Sequence, residues 1–509
     1  MRQSRSGSGL LASASTALAL GCALFAGWFA IGDPDLGLHL AVGKYMAEHQ
    51  AFPEFDPFTY STSERPFINF EWGFDYGIFK IYEFAGAEGI LLAKLLIIAS
   101  IILLLLKLAS RLLPEAPGLA RWFCALSTIA ALPVLRIRLV ERPHLLGFLF
   151  LVMHLFLARD FTNSTKPWKR RMLPVLMVLS MPIWASMHGS WPLALAVAGA
   201  HFLFSTGDRK NFAAIFGLEI AATTLNPYGT KLLWVPFRHL GSSEVGSFIT
   251  EWMRPELTLY PSHTPLVIAI GLSFAACLLF LRNRRDAPEI LVTLALFVMA
   301  SRSFRFISPA LLIAAAPMGA RLGNLAFQSS KKLQVCIQIL VFLVSLSCYY
   351  GLLSKQPQKL LQSWSWEERG LPRSAAKTIL ENELPGPIFN DFDFGGDLSW
   401  TLGTQVQHAI DGRVDLFGND FLKDYVNILK DPQLFVEHST LYKPQLVILS
   451  YPTPRNHKLI GFLSSQPEYL LIHLDDTFAV WARGEAREQA AKKGLALNRF
   501  AATPNITQT

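Results

Sequence analysis

The chain is poor in charge and in cysteine. Asp, Glu, Lys and Arg make up 17% of its 509 residues, against about 25% in an ordinary soluble domain, so a single soluble globular protein is excluded for the whole length. The five cysteines (Cys22, Cys124, Cys277, Cys336, Cys348) all fall in apolar runs. None lies near the C-terminus, and no disulfide framework or metal-spaced cysteine cluster is present. There is no internal repeat. No small-x-small cleavage site stands directly before Gly32-Asp33, so the first apolar run reads as a retained span and not as a signal peptide.

What is abundant is apolar sequence, with 51% hydrophobic residues and a mean hydropathy of +0.33. It is gathered in eleven runs: 11–31, 90–106, 122–135, 145–157, 173–187, 191–204, 212–225, 265–281, 290–300, 307–318 and 333–353. Several are shorter than the roughly 20 residues of a perpendicular span, so some are expected to be re-entrant or joined. A net charge of +8 would suit nucleic acid, but the basic residues are scattered among short loops and no nucleic-acid partner is expected. With the N-terminus in the cytoplasm, 18 Lys and Arg fall inside and 11 in the outside loops before residue 353, which sets the orientation. After an odd number of spans, residues beyond 354 lie outside the cytoplasm.

The expected fold is therefore an α-helical polytopic membrane bundle of about eleven spans, with a small α/β extracytoplasmic domain at its C-terminal end. The membrane domain is drawn at 1–353, including a first outside loop at 32–86, the extracytoplasmic domain at 354–483 and a polar tail at 484–509. The loop is acidic and aromatic, with helical spacing at 38–47 and 72–84 that suits helices in the membrane interface. The C-terminal region alternates strand-like runs (386–391, 408–411, 445–450) with helices at 421–429, 432–442 and 457–463, and ends in a hairpin at 469–483.

Candidate chemistry begins where the first span emerges. Asp33-Pro34-Asp35 with His39 sets two carboxylates and an imidazole at the level of lipid phosphates. A carboxylate there suits a general base for an acceptor hydroxyl, or a ligand holding a divalent cation on pyrophosphate; equally, the same residues make a helix cap. Glu71, with Asn69 before it, closes the loop and would share a pocket with the Asp pair if the loop folds back, whereas Asp56 and Asp75 read as turn and surface residues. Arginines on the outside break the charge rule: Arg136, Arg138 and Arg142, with Glu141 and His144 beside them, and later Arg302 and Arg305. Guanidiniums suit bidentate contact with a lipid phosphate, and they suit plain headgroup anchoring as well. His188-Gly189 and Asn226-Pro227-Tyr228-Gly229 end further spans, the second as a turn, and Glu251-Trp252 reads as part of a lid. The acidic loops Asp391 to Asp397 and Asp411 to Asp415 are read as structural, with Arg413 pairing to Asp391 or Asp415, and Trp400 is the one aromatic there suited to stacking on a sugar.

Taken in order, Asp33-Pro34-Asp35-Leu36 with His39, Phe70-Glu71-Trp72, Arg142-Pro143-His144, His188-Gly189, Asn226-Pro227-Tyr228-Gly229 and Asp411-Gly412-Arg413 resemble a bacterial group within the GT-C superfamily of polyprenyl-phosphate-sugar glycosyltransferases. Where that group carries paired Trp before the His, this chain has Gly37-Leu38. The resemblance implies a multi-pass enzyme of the bacterial inner membrane that moves sugar from a polyprenyl phosphate to a glycan, lipid or protein acceptor on the outer face, with inversion. It implies Asp33 as catalytic base and Asp35 or Glu71 as its partner; His39, Arg138, Arg142, His144, His188, Arg302 and Arg305 are expected from their placement to be substrate-binding residues. A divalent cation on Asp33 and Asp35 is used by some members and not by others. A lipid-linked glycan flippase or a non-catalytic scaffold are the competing classes; a flippase should hold charged residues deep in its spans, and the mid-span stretches here read as nearly free of them.

Overall fold

The structure, a computed structural model, describes residues 3–235, 250–253, 286–355 and 370–497. The run at 265–281, most of the loop at 226–263, and the chain end beyond 497 lie outside the described residues. By contacts the chain divides into two compact units, Met1–Ala30 with Ala87–Ser365 and Ile31–Gly86 with Trp366–Thr509. The first loop thus belongs with the C-terminal residues, a grouping that differs from the expected membrane domain of 1–353.

The first unit is helical. Its elements are α1 (Gln3–Gly27), the later part of α3 (Trp72–Leu112), α4 (Pro117–Leu135), α5 (His144–Asn163), α6 (Pro167–Met187), α7 (Pro192–Phe204), α8 (Arg209–Thr223), α9 (Ala287–Ala300), α10 (Ile307–Gln328) and α11 (Lys331–Lys355); α2 (Pro34–His49) belongs to the second unit. Every apolar run within the described residues coincides with one of these helices. Among the described residues six helices are long and apolar enough to cross a membrane and two more are shorter apolar helices. The expected eleven is therefore not a count of full-length spans.

The bundle packs around α4, on which α1, α10 and α11 all rest. At Gly319 and Gly323 of α10 a β-carbon would come within 2.5 Å of Cys124 N and 2.9 Å of Ala120 N. Two small residues four apart let the helix backbones touch, which is how membrane helices gain dispersion contact without a hydrophobic driving force. On α11 the side chains of Leu333, Val335, Ile339, Leu340, Leu343 and Val344 are exposed. A face that apolar would aggregate in water and is at rest in lipid.

Helix α3 is two helices joined at a kink, with Ala85 and Gly86 non-helical and Gly86 at φ 61°. The break falls between the helical spacing at 72–84 and the apolar run from 90, and only glycine adopts that backbone without strain.

In the second unit a four-stranded sheet runs β1 (Ile388–Asn390), β2 (Leu446–Ser450), β4 (Phe478–Ala482), β3 (Leu470–Leu474). β1 pairs parallel to β2, and the other two pairings are antiparallel. β1, β2 and β4 are buried at every position, so both faces are covered and the strands read as continuous apolar runs. One face packs on Ala375, Ala376 and Ile379 of α12 (Arg373–Glu381) and on Ala486 and Ala490 of the helix Gly484–Lys492. Phe389 meets Tyr425, Phe435 and His438 from two helices, Val414–Lys430 and Pro432–Tyr442. The expected strand at 408–411 is a single bridging residue: His408 pairs with both Ile388 and Thr59, with backbone bonds from Tyr60 N to His408 O and from His408 N to Phe58 O, each 3.1 Å. The first loop so covers the open edge of the sheet.

Helix α2 rests on α13 (Gly395–Leu402). A β-carbon on Gly37 would stand 2.6 Å from Gly396 O and 2.7 Å from Asp397 Cα. That contact explains why a paired Trp is absent here: the helix meets backbone at this point. Gly37→Val is expected to cost about 1–3 kcal/mol, as overpacking does, and to lower the melting temperature of the detergent-purified protein. An unchanged melt would show that α2 is free to shift.

Candidate active site

Asp33 begins α2 as its N-cap, with Oδ1 accepting from Asp35 N at 3.0 Å and Pro34 in the first turn. The capping role is therefore real. One turn further on, His39 Nδ1 bonds Asp75 Oδ1 at 2.6 Å. Asn69 Nδ2 donates to Asp75 Oδ2 at 2.7 Å, and its own Oδ1 accepts from Glu71 N at 3.2 Å. Burial alone would depress the His39 imidazole, but Asp75, and then Glu71 and Asp35, outweigh it and raise its pKa. Asp35, Glu71 and Asp75 thus act together on one imidazole.

This corrects the reading of Asp75 as a surface residue. It is buried and fixes the ring of His39. Its signal in the sequence was weak: an acid in the first turn of a helix whose preceding residues include Asn69 and Glu71. Asp56 is corrected likewise. It is buried, accepts from Phe58 N at 3.1 Å and Thr62 Oγ1 at 2.8 Å as well as from Thr59 Oγ1, and pairs with Arg413 Nη1 at 2.9 Å.

In the first unit the candidate arginines gather. Arg138, on the 3-10 turn that follows α4, pairs with Glu251 Oε1 at 2.5 Å, and Arg142 Nη1 reaches the same oxygen at 3.4 Å. Burial would raise the Glu251 carboxyl, yet Arg138 and Arg142, with a smaller contribution from Arg305, hold it below the usual range. Arg305 lies over the ring of Trp252, 4.3 Å from its centre. The turn Thr250–Trp252 is tied down by Ser303 Oγ donating to Glu251 O at 3.0 Å and Phe304 N donating to Met253 O at 2.9 Å. Glu251 and Trp252, read as part of a lid, hold these guanidiniums; most of the loop around them lies outside the described residues. His144 Nε2 donates to Arg138 O at 2.7 Å and so shapes the same turn.

The remaining candidates divide. His188 Nδ1 bonds Ser190 Oγ at 2.7 Å and packs on Gly147 of α5. Arg302 is exposed and makes no ion pair among the described residues. Arg136 donates to Ala26 O at 3.2 Å, a structural tie to the end of α1. Asn226 makes the expected turn, accepting from Tyr228 N at 2.8 Å.

The acidic loops of the second unit are mutual ion pairs. Arg455 binds Asp391 at 2.7 Å and Asp393 at 2.6 Å, and Arg373 binds Asp397 at 3.0 Å. Arg413 pairs with Asp411 and Asp56; of the two expected partners, Asp391 pairs with Arg455 instead, and the side chain of Asp415 lies outside the described residues. Trp400 is packed edge-on by Tyr82 and Phe79. Among the described residues no three His, Cys, Asp or Glu are arranged to hold a metal ion. Among the described residues a cation on Asp33 and Asp35 would have no third His, Cys, Asp or Glu ligand.

With this geometry in place, the chain superposes on two solved membrane enzymes. The oligosaccharyltransferase AglB from Archaeoglobus fulgidus, in complex with an inhibitory peptide and a dolichol-phosphate, matches with a TM-score of 0.63 at 11% identity over 95% of this chain and 75% of that one. ArnT from Cupriavidus metallidurans, bound to undecaprenyl phosphate, matches with a TM-score of 0.54 at 14% identity over 93% of this chain and 97% of that one. The chain has the GT-C fold. No protein-family model and no curated protein matches it in sequence. Within the GT-C fold, the likeness fixes architecture and leaves the chemistry to the residues.

Proposed function

We propose that the protein is a GT-C-type glycosyltransferase of the bacterial inner membrane. It takes a sugar from a polyprenyl-phosphate donor and places it, with inversion, on a glycan, lipid or protein acceptor at the outer face. The bond from the anomeric carbon to the phosphate oxygen breaks, and a bond to the acceptor oxygen forms. The acceptor's proton goes to Asp33, and polyprenyl phosphate leaves carrying the electron pair. Asp35 and Glu71 set the field around His39, which with Arg138, His144, His188 and Arg302 contributes to substrate binding, while Arg142 and Arg305 hold the leaving phosphate. Because a phosphate leaves readily, positioning and charge neutralisation supply most of the acceleration.

One observation carries this reading. Arg138 and Arg142, from the connection between α4 and α5, both pair with the carboxylate of Glu251, and Arg305, from the segment before α10, adds its field there. Guanidiniums so collected near the ends of membrane helices suit a bidentate phosphate ligand. Arg142→Ala is expected to lower sugar transfer by about 10²-fold, the scale of one lost transition-state donor, with Arg142→Lys recovering only part. The measurement is consumption of a panel of polyprenyl-phosphate sugars by purified protein. Full activity in Arg142→Ala and Arg305→Ala together would remove the phosphate role.

Lipid-linked glycan export is the second reading, and one observation favours it. The mid-span stretches are not free of ionisable groups: His154 of α5 and Glu219 of α8 are fully buried and 3.6 Å apart. Labelled lipid in reconstituted vesicles separates the two, since an exporter moves it across the bilayer with the sugar still attached.

A further inference from the structure

His154 and Glu219 take no part in the transfer chemistry above. His154 stands ten residues into α5, a helix long and apolar enough to cross a membrane, so about 15 Å from its start and near the middle of a hydrocarbon layer of roughly 30 Å; Glu219 of α8 meets it there. α5 packs on α6 and α7, and both of those pack on α8. His154 Nδ1 lies 2.9 Å from Phe150 O, an acceptor, so this nitrogen carries a hydrogen. Nε2 faces Glu219 Oε1 at 3.6 Å and Ser180 Oγ at 3.5 Å. The Ser180 hydroxyl spends its hydrogen on Met177 O at 2.8 Å, so toward the imidazole it is an acceptor. Trp184 closes the other side, its ring 5.0 Å from that of His154.

Glu219 is fully buried, and among the described residues neither of its carboxyl oxygens has a hydrogen-bond donor. No Lys or Arg pairs with it among the described residues; His154 is the one basic group it meets. A neutral imidazole bare at Nε2, a hydroxyl with its hydrogen spent and an ionised carboxylate would be three acceptors facing one another in apolar surroundings. An arrangement of that kind is costly, and a proton in the gap removes the cost at once.

We propose that His154 and Glu219 form a proton-binding site within the membrane bundle, holding one proton between Nε2 and the Glu219 carboxyl. It resides either as an imidazolium with a carboxylate or as a carboxylic acid donating to the imidazole. The two forms have the same composition and the same net charge. Ionisable pairs at this depth in membrane proteins mark proton or ion pathways, and this one lies apart from the arginine cluster at Glu251.

The test uses full-length protein in lipid bilayers with nitrogen-labelled histidine, read by solid-state NMR together with infrared spectroscopy. At neutral pH one of two results is expected: His154 protonated on both ring nitrogens, or a carboxylic-acid band from Glu219. Glu219→Gln should then show His154 as the neutral tautomer with hydrogen only on Nδ1, and the acid band should vanish. His154→Gln identifies the resonance by its disappearance, so the wild-type measurement stands even if Glu219→Gln does not fold. Finding Nε2 bare and Glu219 ionised in the wild type overturns the proposal, because a water or another cation would then have to fill the gap.

Discussion

Asp33→Asn is expected to lower sugar transfer by about 10²–10⁴-fold, the range of a lost general base, while leaving the protein folded and inserted. Both halves follow from the same contact. Asp33 Oδ1 accepts from Asp35 N and caps α2. The amide oxygen of Asn accepts that bond equally well, and Asn ranks with Asp as an N-cap. What the amide cannot do is take a proton from an acceptor hydroxyl. The substitution therefore separates the two meanings of the Asp-Pro-Asp motif that sequence alone leaves open. Asp33→Ala should lose activity together with about 1 kcal/mol of stability, because the cap goes too. If Asp33→Asn keeps wild-type turnover of every polyprenyl-phosphate sugar that the parent consumes, Asp33 is a cap and the base lies elsewhere, with the Asp35, Glu71 and His39 group next in line.

The architecture was largely legible because it is written in local patterns. The apolar runs within the described residues fell on helices, Asp431 caps Pro432–Tyr442 through Gln433 N, and the hairpin expected at 469–483 is β3 and β4. The break between the helix from Trp72 and the apolar run from residue 90 shows as the kink at Gly86. Less legible were contacts between residues far apart in sequence. Asp56 and Asp75 look like surface acids until Arg413 and His39 are set beside them. Glu251 looks like a loop residue until Arg138 and Arg142 are set against it. His154 and Glu219 each stand as the single ionisable position inside an apolar run, so an average over the run conceals them, and only their pairing gives them meaning. Gly37 marks the same limit from the other side. Its lack of a side chain looks like the loss of an aromatic contact and is in fact the condition for α2 to approach Gly396.

Arg413→Met is expected to destabilise the second unit by about 3–5 kcal/mol, the cost of breaking a buried pair from one side. Arg413 Nε lies 2.9 and 3.0 Å from the two Asp411 oxygens, Nη2 also binds Asp411, and Nη1 reaches Asp56 at 2.9 Å. Removing the guanidinium leaves two buried carboxylates facing each other's charge, and Lys, with one compact ammonium, cannot fork between them. Burial alone would raise the Asp411 carboxyl, but Arg413 outweighs it and the pKa falls below the ordinary range. A carboxyl depressed in the fold stabilises above its unfolded value, about 3.9, and gives that up as the pH falls toward its folded one. The gap in unfolding midpoint between wild type and Arg413→Met should therefore be widest near neutral pH and narrow below about pH 4. The effect should also reach Asp35, the partner of the candidate base. A β-carbon on Gly412 would stand only 2.9 Å from Asp35 Oδ1, so the loop that Arg413 anchors is the surface against which the Asp35 carboxylate rests. Activity lost in Arg413→Met below its melting temperature, at unchanged insertion, is the expected sign of that contact; equal midpoints at neutral pH would mean that the pair carries none of the fold.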